Sequence, residues 1–205
     1  MLLIKSKYKI AKRLGAAVFE KTQSQKFALS EARSPAKKTR GGRGGGSDYG
    51  RQLLEKQRVR YTYGISEKQL SNYAQAAFAQ PDPSTSLHKS LEMRADGAAY
   101  RAGFASTRRA ARQMVSHGHI TINGRRITTP SHQVRKGDVL GVREGSKQSP
   151  LFTILKEKNP ESMRTVPQWL NVDIDSLKAE VIGEPSYNSI ETGLDYATVF
   201  EFYSR

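Results

Sequence analysis

The chain has 205 residues, enough for one large domain or two modest ones. It carries 34 Lys and Arg against 19 Asp and Glu, a formal charge of +15, and that self-repulsion is relieved by a polyanionic partner, most commonly nucleic acid. There is no cysteine, which excludes disulfides and thiolate metal sites, and no apolar run approaches the roughly 18 residues of a membrane span.

The charge is unevenly placed. Residues 1–91 hold 18 basic against 6 acidic side chains, residues 92–145 hold 10 against 4, and residues 146–205 hold 6 against 9. The first two thirds therefore face the polyanion, and the last third faces protein or solvent. Residues 1–46 read as a basic, Gly-rich N-terminal arm ending in RSPAKKTRGGRGGG. Lys37, Lys38, Arg40 and Arg43 are spaced through it as phosphate contacts, and order is expected to begin at Ser47. The start, MLLIKSKYKIAKRLG, is read as part of this arm in preference to a transit peptide.

Ser47 is placed to cap a helix that stops at Gly64, with Arg51, Lys56, Arg58 and Arg60 on an exposed face. Ser66 and Gln69 form a capping box before the apolar face Leu70, Tyr73, Ala74, Ala77 and Phe78. QPDPSTS (80–86) reads as a linker. One helix is then expected from about Leu87 to Ala102, stopped by Gly103 with Phe104 behind it. Ser106 is expected to cap the next helix, which Gly118 ends; Ala111, Met114 and Val115 face inward, while Arg108, Arg112 and Ser116 line an exposed row. Ile120 to Ile122 reads as a strand, Asn123-Gly124 as a type I′ hairpin turn, and Lys136-Gly137-Asp138 as a turn before a strand from Val139 to Arg143. VPQWLNVD (166–173) and SLKAEVIG (176–183) read as short extended segments, and Asp195 caps a last helix whose aromatics pack on other helices.

Catalytic chemistry finds no support here. Ser116 and His117 are neighbours in sequence, so they do not face each other as nucleophile and base, and His117 with His119 is too few ligands for zinc. GGRGGG lacks the Lys-Ser/Thr of a phosphate-binding loop. No cofactor, metal or catalytic residue is expected. Phosphate recognition is the better reading. A helix N-terminus at Ser106 and Thr107, forked donors at Arg108, Arg109 and Arg112, and a tight turn at Asn123, Gly124 and Arg125 are gathered in one short unit. Such a surface suits RNA backbone and shape more than base sequence.

These residues resemble a known family. LEMRADGAAYRAGFASTRRAARQMVSHGHITINGRRITTPSHQVRKGDVLGVRE (91–144) resembles the RNA-binding domain, of the alpha-L type, of the bacterial-type small-subunit ribosomal protein four family. SDYGRQLLEKQRVRYTYGISEKQLSNY (47–73), PQWLNVD and the ending EFYSR resemble the same family in the same order. The resemblance implies an α+β chain, with a helical first domain and an RNA-binding domain of two helices plus an antiparallel hairpin or small sheet. The expected divisions are an arm at 1–46, a helical rRNA-binding domain at 47–86 completed by 195–205, and an alpha-L domain at 87–194. The function it implies is that of a structural, non-enzymatic constituent of the small subunit. Such a protein binds the 5′ domain of small-subunit rRNA, nucleates assembly, touches small-subunit protein five and contributes to translational accuracy.

By motif match, the RNA contacts would be Ser47, Tyr49, Gly50, Lys56, Gln57 and Arg60 in the first domain. In the second they would be Thr107, Arg108, Arg112, Gln113, Ser116, His117, Asn123, Gly124, Arg125 and Ser131, with Ser106 and Arg109 added by the reading of the helix N-terminus. Arg40 and Arg43 stand where relatives place basic residues near incoming mRNA. The chain departs from the family at GGRGGG, at Ala95-Asp96-Gly97 and in lacking an N-terminal cysteine cluster. The implied setting is a cytoplasmic ribosome or an organellar one. An off-ribosome RNA-binding stress or regulatory factor and an RNA-modifying enzyme with the same module are the alternatives.

Overall fold

A computed structural model describes residues 4, 6–33, 47–152 and 165–204. Arg40 and Arg43, like Lys37 and Lys38, lie outside the described residues. The chain divides into two compact units, Met1–Ser84 with Asn188–Arg205, and Thr85–Tyr187.

The first unit is helical. Helices α1 (Lys7–Leu14) and α2 (Gln25–Ala32) precede the long α3 (Asp48–Tyr63) and α4 (Glu67–Phe78), and the chain returns as α8 (Ser189–Thr192) and α9 (Tyr196–Tyr203). The expectation that order begins at Ser47 is therefore corrected. Ala11, Leu14, Val18, Phe19 and Phe27 are buried together, with Leu54 and Tyr61 of α3 against them. Their irregular spacing across two short helices and two 3₁₀ turns defeats a periodicity search.

The ends of α3 and α4 follow from their residues. Ser47 Oγ accepts from the Gly50 amide at 3.2 Å. At the other end Gly64 takes φ 62°, and the Ile65 amide donates to the Arg60 carbonyl at 3.1 Å while Ile65 is fully buried. The Ser66–Gln69 capping box is present. Asp195 caps α9 by accepting from the Thr198 amide at 3.2 Å, and α9 lays Phe200 on Phe78 and Phe202 on Tyr49. The Tyr63 and Tyr196 hydroxyls meet at 3.2 Å inside this bundle.

The second unit is α+β. Helices α5 (Pro83–Glu92, beginning at the edge of the first unit), α6 (Ala95–Arg101) and α7 (Arg108–His117) lead into a five-stranded antiparallel sheet. Its strands are β1 (Ile120–Ile122), β2 (Arg125–Arg126), β3 (Val139–Val142), β4 (Leu170–Asp173) and β5 (Lys178–Val181), in the order β2-β1-β3-β5-β4. One core joins Ala98, Phe104, Ala111 and Val115 of the helical layer to Ile120, Leu140, Ala179 and Val181 of the sheet.

Three local expectations change. The linker reading of 80–86 is shortened because Pro83 starts α5, its missing amide and fixed φ being harmless at a first helical position. The single helix from Leu87 to Ala102 is broken after Glu92: Arg94 is extended (φ −71°, ψ 145°) and pairs with Gln133. The freed N-terminus of α6 is closed by main chain, as the Ala95 amide donates to the His132 carbonyl (2.7 Å) and the Asp96 amide to that of Pro130 (3.2 Å). The cap of α7 is Thr107, not Ser106, because Thr107 Oγ1 is the atom that accepts from the Ala110 amide (3.0 Å).

Candidate nucleic-acid interface

The α7–hairpin unit is built as a rigid platform. Gly118 ends α7 at φ 74°, with the His119 amide on the Met114 carbonyl at 3.0 Å. Gly118 holds a left-handed backbone that strains any side chain, and a Cβ there would lie 2.0 Å from Arg126 Nε, displacing that guanidinium from its present pose. Arg126 then donates to the His117 carbonyl at 3.1 Å, placing a cation at the negative end of α7. Arg126 is not among the residues singled out from the sequence.

The hairpin turns through Asn123 (φ 51°) and Gly124 (φ 77°), as a type I′ turn requires. Asn123 is used internally. Its Nδ2 donates to Asp138 at 2.8 Å, and its Oδ1 accepts from the Val139 amide at 2.9 Å, tying this turn to the Lys136-Gly137-Asp138 turn. Gly124 and Arg125 remain exposed at the tip.

Along α7 the structure separates two rows that the sequence reading merged. Arg109, Gln113 and Ser116 are exposed, with His117 and Ser106 exposed at the two ends. Arg108 and Arg112 are not exposed: 14% and 15% of their side chains face solvent. The reason is a pair of buried carboxylates. Glu92 accepts from Arg101 Nε (2.7 Å) and Nη2 (2.9 Å) and from Arg108 Nη2 (2.7 Å). Asp96 accepts from Arg94 Nε (2.9 Å) and Nη2 (3.0 Å), from Arg112 Nε (2.7 Å) and from the Gly97 amide (3.0 Å). The Arg108 guanidinium also lies 4.6 Å from the centre of the Tyr100 ring. Ser131 is half-buried in the turn whose carbonyls close α6.

Burial alone would push the Glu92 carboxyl up. The Arg108 charge and the hydrogen bond and charge of Arg101 outweigh it and hold the group far below the usual carboxylate range. One turn before it, His88 is buried with its ring against Tyr187. Burial lowers its pKa from 6.5, and Arg101 and Arg108 lower it further against the pull of Glu92.

In the first unit, Lys56 moves from the expected exposed face into the interior. Its ammonium sits 2.8 Å from Glu67 and 4.0 Å from the centre of the Phe202 ring. Glu67 also pairs with Arg60 at 3.3 Å and accepts from the Tyr203 hydroxyl at 2.9 Å. These donors overcome burial and lower the Glu67 pKa, while burial and Glu67 raise that of Tyr203 well above its ordinary value. Gln57 is half-buried, whereas Tyr49 is exposed beside Ser47 and Gly50 at the N-terminus of α3. Among the described residues no group of three or more His, Asp or Glu side chains is arranged to hold a metal, and no helix is long and apolar enough to cross a membrane.

Comparison with known proteins fits this architecture. The family described as Ribosomal protein S4/S9 N-terminal domain matches residues 3–92, and the S4 domain matches residues 93–140. Small ribosomal subunit protein uS4 of Borrelia duttonii (strain Ly) is 38% identical over 98% of this chain and 96% of its own length. The chain belongs to the uS4 family. The uS4 proteins of Roseiflexus castenholzii (39% identical over 96% of both chains) and of Borreliella burgdorferi strain ZS7 (36% over 98% of this chain and 96% of its own) are similar to it over the same span. In this uS4 family member, Glu92 is the last residue of the first match, and its partners Arg101 and Arg108 belong to the second.

The titrations give one expected result. His88 has a folded pKa below its unfolded 6.5, so as the pH falls the unfolded chain takes up the proton first and stability declines. Glu92 has a folded pKa below its unfolded 4.5, so its contribution is present above that value and is lost as the pH falls further. Urea unfolding followed by the single tryptophan, the buried Trp169 of the second unit, should show two acid limbs. His88→Gln should remove the upper limb alone; a variant that keeps both limbs would refute this assignment.

Proposed function

We propose that the chain is a structural, non-enzymatic constituent of the small ribosomal subunit that binds small-subunit rRNA. The observation that carries this is its similarity to uS4 proteins over nearly the whole length of both partners. The rRNA-binding work is divided between the α3–α4–α9 bundle and the α7–hairpin platform, with the 5′ domain of the rRNA as the target and early assembly as the setting. On the platform, Ser106, Arg109, Gln113, Ser116, His117, Gly124 and Arg125 supply direct contacts, since all are exposed. The Thr107 cap holds the α7 amides in place near a phosphate. In the first unit Ser47, Tyr49 and Gly50 present the N-terminus of α3, and Lys56 and Arg60 act through the Glu67 cluster.

Contact with small-subunit protein five, with incoming mRNA through Arg40 and Arg43, and a part in translational accuracy belong to the same proposal, in a cytoplasmic ribosome. The test is affinity for the 5′ domain of small-subunit rRNA against an unrelated folded RNA of equal length across a salt series. A preference of about 4 kcal/mol or more that survives high salt is expected. Equal binding that collapses with salt would transfer the protein to the off-ribosome reading.

A further inference from the structure

Two acids four residues apart, Glu92 and Asp96, face two arginines four residues apart on α7, Arg108 and Arg112. Each acid also holds a second arginine in a forked pair, Arg101 on Glu92 and Arg94 on Asp96. The Glu92 and Asp96 side chains are 1% and 6% exposed, whereas those of Arg108 and Arg112 are 14% and 15% exposed and that of Arg101 36%. Negative charge beside a polyanion-binding face weakens the attraction. A chain of charge +15 that keeps two carboxylates under that face has a use for them which outweighs the lost attraction.

We infer that Glu92 and Asp96 are positioning residues for RNA binding. They fix the arginines of α7 and its neighbours in one pose before the RNA arrives. A long arginine side chain loses rotamer freedom when it is immobilised at an interface, and a carboxylate that already holds its fork removes that loss from the binding step. Tyr100 adds a flat surface beneath Arg108 and restricts it further. The same clamp fixes α7 relative to α5 and α6, so the exposed row Arg109, Gln113 and Ser116 is held with it.

The inference rests on the RNA-binding reading, and its test separates the two. Glu92→Gln and Asp96→Asn keep side-chain volume, and each raises the net charge by one. Simple attraction predicts tighter RNA binding by both variants. Positioning predicts the opposite for the specific RNA: about tenfold weaker binding to the 5′ domain of small-subunit rRNA at every salt concentration. Binding to the unrelated RNA should be unchanged or tighter. Phe104→Leu, a change in the buried core that removes no charge and no hydrogen bond of the acid–arginine set, serves as a control for lost stability and should leave affinity unchanged. Melting curves fix the assay temperature below unfolding for every variant; if Glu92→Gln is unfolded there, Asp96→Asn decides.

Binding of the 5′ domain by the folded variants as tight as wild type, or tighter, would overturn the inference and leave the acids a purely structural role. An equal loss in the Phe104→Leu control would overturn it as well. A wild-type chain with no preference between the two RNAs would instead overturn the functional reading, and this inference with it.

Discussion

Replacing Arg101 and Arg108 together by Ala is expected to destabilise the Thr85–Tyr187 unit by about 3–5 kcal/mol, a fall in Tm on the order of 15 °C or more. The effect comes from what is left behind. Glu92 is 1% exposed, and both arginines that neutralise it would be gone. The carboxylate must then stay charged in a poorly solvated site or take up a proton, and either costs most of what the cluster had supplied. Arg108→Ala alone should cost less, about 1–3 kcal/mol, because Arg101 keeps its forked hold on Glu92. Adding Glu92→Leu to the double variant should recover much of the loss, since an apolar side chain carries no charge to desolvate. Thermal unfolding followed at Trp169 reads all three; a double variant melting within about 3 °C of wild type would sink the account.

For binding, the largest effect is expected from the exposed row. Arg109→Ala with Arg125→Ala should flatten the salt dependence of rRNA affinity by about 1.4–1.8 in slope and weaken binding at about 0.1 M salt on the order of 30-fold. Both side chains are exposed, so the melting temperature should stay where it is. The comparison with Arg108 and Arg112 is what gives the experiment its force. Read from the sequence, those two are exposed phosphate contacts. In the structure their removal uncovers Glu92 and Asp96. An Arg109/Arg125 variant with the wild-type slope would move the binding face off this platform.

Much of the local structure was legible because it depends on near neighbours. Ser47, the Ser66–Gln69 box and Asp195 cap the helices they were expected to cap. Gly64, Gly103 and Gly118 all take positive φ at helix ends, and Asn123-Gly124 turns the hairpin. In each case the signal and its effect lie within about four residues. The family was legible as well, since motif order along the chain survives without any knowledge of packing.

What depends on distant partners was not legible. Lys56 looked like a surface charge until Glu67 and Phe202 closed over it. The break between α5 and α6 came from the 129–134 loop, whose carbonyls and strand pairing draw Arg94 out of the helix. The packing of residues 4–33 needed α3 as its other wall. Composition, turn residues and motif order establish without coordinates that this protein is basic, α+β, built around a helix–hairpin unit and a member of a ribosomal family. Which of its arginines face outward is set by packing. A guanidinium has the same charge wherever it sits, and its exposure is set by whether a carboxylate remote in sequence is brought beneath it, as Glu92 is to Arg108 and Asp96 to Arg112.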